Sequence, residues 1–169
     1  YIIFCEGYRV KDNPYFKTLP LSPTKGEVMT IRIPSLETFD KIISKGVYIL
    51  PLGNHLYTVG ATYNHTDITD ELTSEGQAFL RDKISDILSV DFEIISSVAG
   101  VRPTVKDRKT LIGLHPNYDK IGVFNGLGTR GALQGPSLSA EFSAVLLGDQ
   151  KNYQNIDNQR FASFFSVFK

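Results

Sequence analysis

The sequence predicts an α+β fold built on a largely antiparallel sheet with flanking helices. Three observations carry that expectation. Short β-rich runs cluster in the first two thirds of the 169 residues. Two of them, 47–50 and 56–62, face each other across Pro51-Leu52-Gly53-Asn54-His55 as a hairpin. Segments of helical periodicity lie between the strands and then close the chain. With 41% hydrophobic and 21% charged residues, the composition is that of an ordinary soluble globular protein. Eighteen basic residues balance eighteen acidic ones, so no overall field draws the chain to nucleic acid or an anionic membrane. No apolar run reaches the length of a membrane span, and no signal-peptide pattern opens the chain. The one cysteine, Cys5, rules out an intramolecular disulfide and fits a reducing compartment, so a cytoplasmic location is expected.

The elements follow in order. Tyr1-Ile2-Ile3-Phe4 reads as a buried strand, ending by Gly7. A chain rarely opens inside a core strand, so sequence upstream of Tyr1 is expected. Met29, Ile31 and Ile33 alternate with Val28, Thr30 and Arg32 in a strand stopped by Pro34. Leu36, Phe39, Ile42 and Ile43 fall at helical spacing behind Ser35, with Gly46 as the stop. Ser74 and Gln77 form a capping box ahead of a helix carrying Leu80, Ile84, Ile87 and Leu88. Strand character returns over 92–101, 111–114 and 121–125. Two helices end the chain, one burying Leu138, Phe142, Val145 and Leu146 before Gly148, the other using Phe161, Phe164, Phe165 and Phe168.

Gly126-Leu127-Gly128-Thr129-Arg130-Gly131 satisfies G-x-G-x-x-G, after a strand and before a helix. Glycines there let backbone N–H groups approach an anion at a helix start. A dinucleotide-binding unit also needs a second strand ending in an acidic residue. Here Gly148 is followed by Asp149-Gln150-Lys151-Asn152 and another helix, so the βαβ unit is never completed. The commoner reading of such a stretch is a turn joining strand to helix. Three glycines and an arginine at one helix start favour a ligand lying against the loop.

A family resemblance rests on several segments taken together. Ala99-Gly100-Val101-Arg102-Pro103, Asp107-Arg108, Ile112-Gly113, the run 123–131 and Pro136 resemble the C-terminal signature of the D-amino-acid oxidase, glycine oxidase and sarcosine oxidase superfamily. Tyr48-Ile49-Leu50-Pro51 with Gly60-Ala61-Thr62 is similar to its substrate-domain hairpin. Lys25-Gly26-Glu27 is similar to the Arg-Gly-Gln that opens that domain, and Cys5-Glu6-Gly7 to the strand end beside the flavin. Thr110 stands where the family usually has Pro, and Gly135 where it has Ala. Thr129 replaces an arginine of the glycine oxidases, or a serine of the oxidase half of the bifunctional enzyme that modifies the wobble uridine of tRNA, which the phrase 126–131 resembles more.

The resemblance implies the substrate-binding and C-terminal parts of a FAD-dependent amine or amino-acid oxidoreductase, without its nucleotide-gripping half. It assigns 1–9 to a remnant of the FAD-binding domain, 10–100 to the substrate-binding domain and 101–169 to a flavin-contacting segment. Hydride would pass from a small amino acid or secondary amine to the flavin, with no obligatory side-chain base, so no catalytic residue is assigned. Arg102 matches a carboxylate-binding arginine, whose planar fork pairs a carboxylate bidentately and whose backbone Pro103 keeps extended. Tyr48 matches a tyrosine that holds the substrate through its hydroxyl, and Tyr63 a pocket-lining methionine. Gly7 and Gly126, Leu127, Gly128, Thr129, Arg130, Gly131, Ala132 and Leu133 match the flavin-facing positions. The helix start would place partial positive charge near the flavin's pyrimidine end. Arg130 either adds to that field or pairs with a surface acid. Covalent relatives place a cysteine near the Arg-Pro segment, so FAD is expected to be non-covalent.

Other chemistries find less support. His55, His65 and His115 sit in turn-like settings without metal-ligand spacing and are expected to be exposed. Gly135-Pro136-Ser137 is no G-x-S-x-G elbow. Arg102, Lys106, Arg108 and Lys109 form a basic run interrupted by Asp107, expected to be a solvated loop. Two alternatives remain open: oxidation of a modified tRNA base, and a ligand-binding domain of the same fold without redox chemistry. A sheet face left uncovered predicts self-association.

Overall fold

The computed structural model describes residues 1–36, 40–149 and 163–165. They form two compact units, residues 24–101 and residues 1–23 with 102 onward.

The unit of residues 24–101 is a five-stranded sheet with one helix. Its strands are β2 (Thr24–Arg32), β3 (Ile43–Lys45), β4 (Val47–Gly53), β5 (Leu56–Gly60) and β6 (Glu93–Arg102), in the order β3-β4-β5-β2-β6. The pairs β3–β4, β4–β5 and β2–β5 are antiparallel. The β4–β5 turn places Asn54 and His55 at φ 51° and 59°, the left-handed pair that matches strand twist in a two-residue hairpin. The helix expected behind Ser35 is replaced at its end by β3, because Ile43, Ser44 and Lys45 pair with β4 around Gly46 at φ 75°. Phe39, part of that expected helix, lies outside the described residues.

The helix α1 (Ser74–Ile87) buries Leu80 and Ile84 against Met29, Ile31, Val47, Ile49, Tyr57 and Val59. Period-two burial on the strands and spacing by four on the helix are what the hydrophobic pattern encodes. Each of these fully buried aliphatic side chains contributes roughly 1.5–3 kcal/mol. The N-cap of α1 is Thr73, one residue before the expected Ser74, and its hydroxyl accepts from Gly76 N at 3.0 Å. Gln77 turns elsewhere, donating to Glu27 at 2.8 Å and accepting from Ser97 at 2.7 Å.

The other unit holds β1 (Ile2–Phe4), β7 (Leu111–His115) and β8 (Tyr118–Asn125) in the order β1-β8-β7. β1 runs parallel to β8, and β7 antiparallel to it. Side chains alternate faces along these strands. Ile3, Ile112, Leu114 and Phe124 meet Leu138, Phe142 and Leu146 of the helix α2 (Gly131–Leu146). Phe4, Leu111, Val123 and Ile121 meet Val10, Phe16 and Leu19. Residues 10–23, expected with the substrate-binding portion, therefore pack in this unit, and the compact sheet unit begins at Thr24.

Two expectations change here. Tyr1 and Ile2 are 65% and 60% exposed, because β1 is an edge strand among the described residues, and a six-residue 3-10 helix (Gly7–Asp12) follows it. His115, expected at the surface, is buried against the rings of Tyr15, Phe16, Tyr118 and Phe165. His115 is the last residue of β7, and its ring packs among these aromatics while also accepting from Asn117 N in the turn that follows. Of the final helix only 163–165 are described, and they are helical; Phe161 and Phe168 lie outside the described residues.

Candidate functional site

In the unit containing β1, β7 and β8, the residues expected near a cofactor gather at the carboxyl ends of β1 and β8. This is the end of a parallel strand pair where ligands bind in open α/β sheets. Asn125, at the end of β8, organises it. Its Nδ2 donates to the Gly7 carbonyl at 2.7 Å, and its Oδ1 accepts from Gly126 N at 2.8 Å. One buried amide thus joins the turn after β1 to the turn after β8. The sequence reading missed it, since an Asn at a strand end looks like ordinary turn chemistry.

Gly126 and Gly128 take φ of 73° and 55°, where a side chain is strained. A Cβ on Gly126 would also stand 2.8 Å from Leu111 N and 3.0 Å from Val105 Cγ2. The first two glycines of the fingerprint are thus explained by backbone conformation and close packing. A 3-10 turn (Gly128–Arg130) then leads into α2. Arg130 stands at the N-cap and makes no side-chain cap, so the first turn is left without one. Its guanidinium donates instead to the Arg108 carbonyl at 2.8 Å, and among the described residues it forms no ion pair with an acid. Ala132 and Leu133 follow in that turn, Leu133 81% exposed. The Oε1 of Gln134 is buried with no hydrogen-bond partner among the described residues. Thr129 is exposed, and Leu127 packs with the α2 cluster.

In the other unit, Tyr48 on β4 sits across from Gly60 on β5. A Cβ at Gly60 would stand 2.9 Å from the Tyr48 hydroxyl and 2.6 Å from Val28 Cγ1, so glycine is what lets the ring lie there. Tyr63, three residues beyond, is 64% exposed. Arg102 ends β6 half-buried as the first residue of the chain's return to the unit of β1, β7 and β8, and its carbonyl accepts from Thr104 N at 2.9 Å.

The Lys25-Gly26-Glu27 segment carries two buried charges. Lys25 donates to Asp67 at 2.5 Å and to Thr69 at 3.1 Å. The ammonium of Lys25, and then Thr69, hold the Asp67 carboxyl down to about 2. Burial pushes His115 below its ordinary value, partly opposed by the Tyr15 backbone. Among the described residues no group of His, Cys, Asp or Glu could hold a metal ion, and no helix is long and apolar enough to cross a membrane.

A family model described as FAD dependent oxidoreductase matches residues 1–144. The chain belongs to that family. Within the FAD dependent oxidoreductases it resembles the tRNA 5-methylaminomethyl-2-thiouridine biosynthesis bifunctional protein MnmC of Campylobacter jejuni subsp. doylei, 29% identical over 114 residues, covering 66% of this chain and 18% of that protein. It also resembles the glycine oxidase of Bacillus subtilis, 26% identical over 144 residues, covering 82% of this chain and 39% of that protein. The crystal structure of glycine oxidase from Geobacillus kaustophilus superposes with a TM-score of 0.75 at 24% identity, over 94% of this chain and 44% of that one. The mixed α+β architecture expected from the sequence is therefore that of the family. The chain spans less than half the length of each of these proteins.

Proposed function

We propose that the protein carrying this chain oxidises a small amino acid or secondary amine with FAD as its cofactor. The observation that carries the reading is the start of α2, at the carboxyl ends of β1 and β8. Its first turn carries no side-chain cap, a helix start of the kind that leaves backbone donors for a ligand, and Gln134 carries an acceptor without a partner among the described residues. The pyrimidine edge of a flavin presents carbonyls and an N–H, so the two sets are complementary in kind. Gly7 and the run from Gly126 to Leu133 are assigned to the cofactor. Bound FAD would supply the acceptor for the substrate's hydride. The chain's own task is to bind and orient: Arg102 takes the substrate carboxylate, Tyr48 adds a hydroxyl contact and Tyr63 lines the approach. FAD is held without a covalent bond, the protein works in the cytoplasm, and the isolated chain associates with itself.

The test uses the full-length protein with bound FAD, mixed without oxygen with glycine, sarcosine or D-alanine. Bleaching of the flavin absorbance is expected. An Arg102→Lys change is expected to raise KM about tenfold or more, because an ammonium cannot reproduce the bidentate fork. A flavin that none of these compounds bleaches overturns the amine reading. A preparation that stays colourless with added FAD favours a ligand-binding domain instead.

A second reading has its own support. The MnmC of Campylobacter jejuni subsp. doylei is 29% identical over 114 residues. Gly126-Leu127-Gly128-Thr129-Arg130-Gly131 resembles the oxidase half of the tRNA-modifying enzyme with one change. In that reading the oxidised amine is carried on a tRNA base.

A further inference from the structure

The turn after Val105 breaks a local rule. Arg108 holds φ at 58°, a left-handed conformation that costs an ordinary L residue roughly 1–2 kcal/mol. The conformation is kept by two contacts. Arg108 N donates to the Val105 carbonyl at 2.9 Å, and the Arg108 carbonyl accepts from Arg130 at 2.8 Å. Glycine would hold the same backbone without strain, and the residue that stands there instead is a cation. Strain at an exposed turn is a reason to look for function there.

The neighbours are cations as well. Lys106, Arg108 and Lys109 are all exposed, and so is Arg130. The turn adjoins the loop after β8, since a Cβ on Gly126 would meet Val105 and Leu111 and one on Gly128 would meet Thr104. Asn125 ties the same end of the sheet to Gly7, where the 3-10 helix adds exposed Arg9 and Lys11, both following Tyr8 in sequence. The guanidinium of Arg9 lies 5.9 Å and the ammonium of Lys11 6.0 Å from the Tyr8 ring. Six cations therefore rim the carboxyl ends of β1 and β8, against the carboxylates of Glu6, Asp12 and Asp107. Asp107 accepts from Lys109 N at 3.0 Å, and Glu6 accepts from Asn13 at 2.8 Å. The chain as a whole is neutral, so this excess is local. A concentrated positive rim around an otherwise neutral protein attracts a polyanion to one place.

We propose that this rim docks the phosphate backbone of a structured RNA and presents it to the cofactor end of the unit. The inference rests on the second reading above. It adds to that reading the surface that receives the nucleic acid. Phosphate contacts of this kind position the RNA, while base recognition is left to other residues.

Binding of a fluorescent, unmodified tRNA transcript to the full-length protein tests it, followed by anisotropy between about 50 and 200 mM salt. The combined Lys106→Gln, Arg108→Gly, Lys109→Gln variant removes three cations while giving position 108 the residue its backbone favours. It is expected to bind the transcript at least about tenfold more weakly and to lose roughly 2–3 from the log–log salt slope. Equal binding by this variant overturns the proposal, as does a native protein that fails to bind. Displacement of the transcript by inorganic phosphate at about the same molar concentration also overturns it, since that marks a site for a small anion. Flavin bleaching by glycine, sarcosine or D-alanine in the same preparations reports on the amine reading separately. Bleaching without RNA binding removes this inference alone.

Discussion

The carboxylate of Glu27 accepts from both the hydroxyl and the backbone N–H of Thr73, at 2.6 Å and 3.1 Å. A capping box normally draws its acid from the third helical residue, which reaches back to the N-cap N–H. In α1 that position is Gly76, and Glu27 supplies the acid from the neighbouring strand β2. The carboxylate fills the space beside Gly76, where a Cβ would stand 2.5 Å from Glu27 Oε1. Gln77 completes the site by donating to the other oxygen at 2.8 Å.

Replacing Glu27 with Ala is expected to leave the donors of Thr73 and Gln77 without a buried acceptor and to destabilise by about 2–4 kcal/mol. Glu27→Gln keeps one acceptor oxygen and is expected to lose less. Urea unfolding midpoints of the two variants check the order, and equal losses would show that the bonds contribute little.

The Lys25–Asp67 pair gives an acid-side prediction. Asp67 is held down to about 2, chiefly by Lys25, so the folded state binds its proton less readily than the unfolded chain. The stabilisation is complete above the ordinary carboxylate range, near pH 4, and is lost as pH falls from about 4 toward 2. Asp67→Asn is expected to be less stable at neutral pH and to lose less on acidification. An acid limb that runs parallel to the native one would contradict the pairing.

His115 works in the same direction from a different cause. Its Nδ1 accepts from Asn117 N at 3.1 Å, which requires the neutral ring, and the surrounding aromatics disfavour a charge. Its lowered folded value means that stability is full above the ordinary imidazole value of about 6.5 and declines as pH falls below it. Melting temperatures of the native protein and of His115→Phe, measured from pH 7.5 to 5, are expected to converge at the acid end.

Local patterns made the sheets legible. Alternation of Met29, Ile31 and Ile33 marks β2, and Leu80 with Ile84 marks the buried side of α1. The strand–turn–helix from β8 through the 126–130 loop to α2 follows from its glycines and from Leu138 and Phe142. What was not legible depends on partners far away in the chain. The cap of α1 needs Glu27, 46 residues from Thr73, and without it Ser74 and Gln77 looked like the better box. Ile42 and Ile43 sit at helical spacing, yet pairing with β4 makes Ile43 a strand residue. Asn125 became visible as an organising residue only through Gly7, a contact between residues 118 apart.

Gly60 tests the placement of Tyr48. An alanine there would bring its Cβ to 2.9 Å from the Tyr48 hydroxyl and 2.6 Å from Val28 Cγ1. Val28 is held in the β2 pairing, so relief has to come largely from the tyrosine ring. The crowding is expected to cost about 1–3 kcal/mol. Under the proposed assignment of Tyr48 to the substrate, Gly60→Ala also raises KM in the full-length protein. The double variant Gly60→Ala, Tyr48→Phe keeps the crowding from the ring and removes only the hydroxyl. If Tyr48 acts through that hydroxyl, Tyr48→Phe alone raises KM, and adding Gly60→Ala to it raises KM much less than it does in the native background. Independent effects of the two changes would mean that Gly60 shapes the sheet without positioning the tyrosine, because sites that do not share a partner add.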